Sequence, residues 1–444
     1  MKKTTYVLIG FALVLIGFAI FSTKLGFHDS YEYITVSKIL AGVDNLDVFT
    51  THSLVYPFII SLFLKIWPSL TMIKLVNVFW VFLIGIVLLI FLKNKFAFLI
   101  FAISPLTWYA SIQTTPALPA SFCLLLAYLF IKNQKIKHSY IYSGLFLGLS
   151  VAFYTPMMLF SFLFILVYFW NGRFNNFVNY FIFFSIGILP ALVLDYVLFN
   201  NPMYSFIRYF GANFVVSIAG VSSGTRNLQI LNTPGVLLII VAISPFLFRL
   251  HRLKFEEHKK DIIFLILSGL ILLVRAAMLK YFIIISPILI LLLSPLLTKK
   301  EIKWHCVVSV ILIVILTFGF FGATKDSKIQ EDLLKIKGDF KTEYIIAGPY
   351  EAPKIAAQLW EDSPKIAWIE DFEASRENKT VLKEYSIKTN SKINLRENLE
   401  ISAKFNRFGD YNYDNYIIVS EKESELPEGL EKEKCYSILC VYRG

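Results

Sequence analysis

The chain has 444 residues, of which 56% are hydrophobic, 16% aromatic and 17% charged, and its mean hydropathy is +0.62. That balance excludes a water-soluble enzyme, a disordered scaffold and a small secreted disulfide domain, and it implies an integral membrane protein whose 42 Phe and 23 Tyr face lipid and the interfaces. The net charge of +11 conceals two regions: residues 1–324 carry 24 Lys and Arg against 9 Asp and Glu, and residues 325–444 carry 19 against 23. A basic membrane portion needs no nucleic acid to explain it, because cations collect in cytoplasmic loops.

A crossing requires roughly 20 apolar residues. In chain order, spans are expected near 6–21, 74–92, 96–110, 117–131, 140–154, 157–170, 177–198, 234–250, 262–277, 281–297 and 304–321. The first, preceded by Lys2 and Lys3, reads as an uncleaved anchor. With the N-terminus inside, Lys93/Lys95, Lys132/Lys135/Lys137, Arg173, the cluster 249–260 and Lys299/Lys300/Lys303 all fall in the cytoplasm. This holds only if 52–67 is a half-buried helix on the outer face rather than a crossing. About eleven crossings result, and the C-terminus lies outside.

The expected organisation is thus a polytopic α-helical membrane domain, 1–324, with outer loops at 23–73 and 199–233, followed by an extracytoplasmic α/β domain, 325–444. In the latter, EYIIAG, KIAWIE, DNYIIVS and SILCVYR read as strands and APKIAAQLW as a helix. Cys435 and Cys440, five apart in one strand-like stretch, would point to opposite faces, so no disulfide is expected. The terminal domain is expected to orient an acceptor or dock a partner. Asn378-Lys379-Thr380 is a formal glycosylation acceptor.

Among the nine acids of the membrane portion, Asp29, Glu32, Asp44, Asp47 and Asp195 are external in this layout. Asp29 follows the first span in FHDSYEYITVSKILAG, at the start of an expected helix on the outer membrane face, where it would also act as a cap. Asp195 would lie on the order of 6 Å below the surface by helical rise.

These residues carry a resemblance. The Asp just after the first span, the Tyr that follows and the Leu-Ala-Gly helix end resemble the first-loop signature of the GT-C glycosyltransferases, which take sugars from polyprenyl phosphates and include protein mannosyltransferases and lipid A aminoarabinose transferases. THSLVYPFIISLFLKIW resembles that family's H-x-P-x-x-Y-P helix, and RAAMLKYFIIISPILILLL its basic-Tyr-x5-Pro stretch. The resemblance covers residues 1 to about 300. It implies a glycosyltransferase that moves a sugar from a polyprenyl-phosphate (or dolichyl-phosphate) donor to an acceptor on the outer face, with inversion if displacement is direct.

By that resemblance Asp29 is the candidate base, and Lys74, Arg275 and Lys280 are candidates to hold the donor phosphate. Glu32, His28, His52, Asp195, Arg208 and Arg226 are accessory candidates. Many relatives carry a second acid where this chain reads WYASIQTTPALPASF, with no carboxylate; Glu32 and Asp195 are candidates to replace it, and metal dependence stays open. No nucleotide-binding motif occurs. The expected partners are the lipid-linked donor, an acceptor of unknown class and membrane lipids, and the expected location is the plasma membrane of the cell envelope. A transporter or flippase for a lipid-linked or hydrophobic solute is the alternative; it calls for ionisable residues near mid-membrane, whereas these acids gather at one face.

Overall fold

The computed structural model describes residues 2–22, 25, 28–43, 52–133, 135–169, 174–207, 209–210, 252–253, 255–272, 279–321, 325–348, 351–360, 364–368, 415–421 and 430–443. The expected span 234–250, Asp44, Asp47, Arg208, Arg226, Arg275 and the Asn378 acceptor site lie outside them. The chain divides into two compact units. One comprises Met1–Ser22, Lys74–Val193 and Thr225–Gly319, and the other Thr23–Ile73, Leu194–Gly224 and Phe320–Gly444.

The described helices, in chain order, are α1 (Lys2–Phe21), α2 (His28–Ala41), α3 (Val55–Leu64), α4 (Leu70–Ile86), α5 (Lys95–Ala102), α6 (Pro105–Ser111), α7 (Ala117–Lys132), α8 (Ser139–Phe153), α9 (Met157–Phe169), α10 (Phe174–Phe199), α11 (Phe255–Ile271), α12 (Ser286–Leu293), α13 (Lys299–Phe321) and α14 (Lys325–Asp339). Three described stretches are long and apolar enough to cross a bilayer: Thr4–Phe21, Leu70–Phe91 and Asn176–Phe199. Helix α3, at ten residues, extends only about 15 Å and cannot cross.

Proline explains where the observed elements depart from the expected spans. The stretch 96–110 is two helices, because Ser104 is extended at φ −65°, ψ 125° and Pro105 restarts the helix at its first turn. The stretch 281–297 is likewise divided: a 3-10 turn, Leu279–Ile284, precedes α12, which opens with Pro287, and a second 3-10 turn, Ser294–Leu296, follows around Pro295. Lys93 at φ 51° turns the chain after α4 and its π-helical extension Val87–Phe91, and Asn94 Oδ1 then caps α5 by accepting from Ala97 N–H at 2.9 Å.

Helices α8 and α10 meet through glycine. Gly144 and Gly148 lie one turn apart on α8, and a Cβ at Gly148 would stand 2.9 Å from Gly187 Cα on α10. Contact this close brings the two backbones together, which compensates for the absence of a hydrophobic driving force between helices in lipid. The carboxylate of fully buried Asp261 on α11 accepts from Lys132 Nζ at 2.9 Å and from Tyr168 Oη at 2.7 Å, joining α7, α9 and α11.

The second unit contains a five-stranded mixed sheet in the order β2-β1-β3-β5-β4, formed by β1 (Tyr344–Ala347), β2 (Lys365–Trp368), β3 (Tyr416–Glu421), β4 (Glu431–Cys435) and β5 (Leu439–Arg443). Strands β2, β1 and β3 are parallel, and β5 is antiparallel to both β3 and β4. Helix α15 (Glu351–Gln358) follows β1. One apolar core joins Val36 of α2, Leu54, Phe199 and Tyr204 to Ile329, Leu333 and Ile336 of α14, Ile355 of α15, and Ile345, Ile417 and Val441 of the sheet.

The cysteine expectation is overturned: Cys435 and Cys440 form a disulfide. The chain reverses between them. Tyr436 N–H donates to Leu439 O at 2.8 Å, closing a two-residue hairpin in which Cys435 and Cys440 are directly opposed, 4.0 Å apart at Cα. Asp332 on α14 holds the turn by accepting from the N–H groups of Ser437, Ile438 and Leu439 at 3.1, 2.6 and 3.0 Å.

Gly148→Val forces the α8 and α10 backbones apart. It is expected to destabilise the purified protein by about 1–3 kcal/mol, read as a lower thermal midpoint. Gly269→Ala, where nothing lies within 4 Å of the added Cβ, should leave the midpoint unchanged or slightly raised.

Candidate active site

The expected base falls in α2. Asp29 occupies its first turn, three residues before Glu32. The helix does not lie on a surface: Ser30, Tyr31 and Tyr33 through Lys38 are all buried. The polar side chains among them are satisfied within the helix or by the unit around it. Thr35 Oγ1 donates to Tyr31 O at 2.8 Å and Ser37 Oγ to Tyr33 O at 2.6 Å. A helix buried on most of its circumference keeps roughly one orientation within its unit.

The structure brings Glu32 and His52 together. His52 Nε2 lies 3.8 Å from Glu32 Oε2, with both side chains about one-sixth exposed. The imidazole is bordered by Tyr33, 5.0 Å between ring centroids, and Tyr209 at 6.4 Å; Tyr33 in turn meets Tyr56 edge-on at 5.8 Å. His52 thus stands beside Glu32 at ion-pair distance, bordered by aromatic rings. The tyrosines were not singled out from sequence, although Tyr33 follows Glu32 directly and Tyr56 is in the same THSLVYPF segment as His52.

Asp195 is fully buried, and both of its oxygens are engaged: Ser205 N–H donates to Oδ2 at 2.8 Å and Ser205 Oγ to Oδ1 at 2.6 Å. These bonds close the turn after α10, which a Phe199–Tyr204 stack at 3.6 Å also fastens.

In the other unit, Lys74 is buried on α4, and its Nζ donates to Ser22 O just beyond α1. A cation at that place meets the negative end of the α1 dipole. One turn further, Asn77 Nδ2 donates to Ala110 O at 3.0 Å and Ser111 O at 2.6 Å, so α4 is tied to the segment where the sequence lacks a carboxylate and places buried Gln113, Thr114 and Thr115 instead. Lys280 falls in the turn Leu279–Ile284. That turn is pinned by Ser121 Oγ, which donates to Ile283 O at 2.8 Å, and by stacking of Tyr281 on Tyr154 at 5.6 Å with 15° between rings. The side chains of His28, Asp29 and Lys280 lie outside the described residues. Among the described residues, no group of three or more His, Cys, Asp and Glu side chains could hold a metal ion.

The architecture is the GT-C fold, found in polytopic membrane glycosyltransferases. Over 100% of its own length and 98% of the other's, the chain is similar to ArnT from Cupriavidus metallidurans bound to undecaprenyl phosphate, with a TM-score of 0.66 at 9% identity. The apo state of that ArnT gives 0.64 at 10%. An Archaeoglobus fulgidus oligosaccharyltransferase tethered to an acceptor peptide containing the NVT sequon gives 0.52 at 12% identity, covering 94% of this chain and 69% of that one. No family model and no curated protein matches the sequence.

His52→Phe keeps the ring packing while removing the charge partner of Glu32, and should leave the thermal midpoint nearly unchanged. His52→Ala removes the ring as well and is expected to cost about 1 kcal/mol more, measured by thermal unfolding of the purified protein.

Proposed function

We propose that the protein is a membrane glycosyltransferase that moves a sugar from a polyprenyl-phosphate carrier to an acceptor on the outer face of the membrane, inverting the anomeric centre. The observation that carries the reading is the whole-length likeness in fold to a transferase bound to undecaprenyl phosphate, together with an Asp in the first helix after the first span. That likeness does not favour the transporter alternative.

In this reading Asp29 accepts the proton of the acceptor hydroxyl as its oxygen attacks the anomeric carbon. The bond from that carbon to the phosphate oxygen breaks, its electron pair stays on the phosphate, and polyprenyl phosphate leaves. Lys74, Arg275 and Lys280 stabilise the charge that builds there; fixed cations are most effective where water is partly excluded. Glu32, three residues after Asp29 on α2, stands 3.8 Å from His52, which precedes α3, and this places a second acid beside a basic ring near the proposed base. The protein sits in the plasma membrane with its N-terminus in the cytoplasm and its C-terminal domain outside. The cation clusters support that orientation, as does the Cys435–Cys440 disulfide, a bond that persists in oxidising compartments.

Asp29→Asn is expected to lower transfer from a polyprenyl-phosphate sugar by about 100-fold or more with folding intact; unchanged turnover would sink the assignment. Lys74→Met and Lys280→Met should each reduce kcat/KM for the lipid donor by about 10–1,000-fold in the same assay. Mass spectrometry of surface glycans, with and without the gene, identifies sugar and acceptor together.

A further inference from the structure

The C-terminal segment does more than rest beside α2: it grips the helix at two points. Lys38 is fully buried, and its Nζ donates to Ala356 O at 2.8 Å and to Leu359 O, both at the C-terminal end of α15, with the Trp360 ring 4.8 Å away. Carbonyls at a helix C-terminus lack partners within the helix and carry the negative end of its dipole, so a buried ammonium satisfies both needs at once. Seven residues earlier, Tyr31 Oη donates to Asp326 Oδ1 at the start of α14, while Asp326 Oδ2 accepts from Leu25 N–H at 3.2 Å. Burial, then Asp326, then Glu421 hold the Tyr31 phenol well above its ordinary pKa, so it stays a donor.

Residues seven apart on a helix share one face, and these two are about 10 Å apart along the axis. Two polar anchors on one face fix both the tilt and the rotation of α2. Apolar packing of Val36 into the shared core would tolerate small rotations; directional hydrogen bonds from a buried cation do not. Rotation decides where Glu32, the neighbour of Tyr31, meets His52, and how the first turn with Asp29 is presented.

We propose that Lys38 and Tyr31 are positioning residues through which the C-terminal α/β segment sets α2 for catalysis, so that this segment acts on the chemical step itself. The inference rests on the glycosyltransferase reading for its kinetic consequence. Its structural arm does not.

The test uses the full-length purified protein. Lys38→Met and Tyr31→Phe are each expected to lower kcat about tenfold or more while donor KM stays within about twofold. Amide exchange across residues 30–41 should quicken, with exchange in α7 unchanged. Lys38→Arg, which restores donors at the same place, should recover part of kcat. Tyr31→Phe removes a single hydroxyl and keeps the test decisive should Lys38→Met fail to fold. Wild-type kcat in the variants overturns the proposal, and so does a loss of kcat without faster exchange in 30–41. If exchange responds as expected but the unaltered protein transfers no sugar from a lipid phosphate, the glycosyltransferase reading falls and the anchoring of α2 stands.

Discussion

A charge taken out of water must be met by a fixed partner, and that requirement orders this molecule. Lys38 finds two carbonyls at the end of α15, Lys74 the carbonyl of Ser22 after α1, Asp261 an ammonium and a phenol, and Asp195 both groups of Ser205. Each pairing connects segments that apolar packing alone would leave free to slide. In a protein so rich in exchangeable aliphatic and aromatic contacts, these few directional bonds specify one arrangement among many of similar packing energy.

The same requirement separates the candidate residues by what holds them. Asp195 spends both oxygens closing its own turn, which is the work of a buried structural acid. Lys74 gives its ammonium to the carbonyl that follows α1, which sets a cation at the negative end of that helix. Glu32 and His52 meet at a separation longer than a tight ion pair, each about one-sixth exposed. The described partners thus tie Asp195 to its own turn, Lys74 to the end of α1, and Glu32 to the segment that leads into α3.

Much of this was legible in the sequence, and the failures have physical causes. Hydropathy located the apolar helices, because a membrane exacts long apolar runs, and period-two alternation located β1, β2, β3 and β5. It passed over β4, whose Glu-Lys-Glu-Lys-Cys sequence carries charge on both faces because it is the exposed edge of the sheet. It passed over α14, where Ile329, Leu333 and Ile336 form a clear helical stripe inside a charged segment. The disulfide was misread for a related reason: parity along one strand is the wrong geometry once Ser437 and Ile438 turn the chain. Helix α2 was expected to lie on the outer membrane face; that Lys38 and Tyr31 are buried depends in part on partners more than 280 residues away, which no local pattern reveals. Motifs named Asp29, Lys74 and Lys280 as candidates, whereas the tyrosines around His52 come together only in three dimensions.

The remoteness of those partners has a consequence for assembly. Val36, Lys38 and Leu54 lie in the first outer loop, yet much of their shared core and both carbonyl acceptors of Lys38 come from residues 329–441. Until residues 326–359 are made, Lys38 lacks the carbonyls of Ala356 and Leu359 and Tyr31 lacks Asp326, since contacts so distant in sequence form only after both segments exist and the loop between them has closed. The helix that bears the candidate base therefore takes its final setting late, after the intervening membrane helices are made. Loss of the C-terminal segment would leave the membrane helices their own contacts while depriving α2 of the two anchors that Lys38 and Tyr31 make.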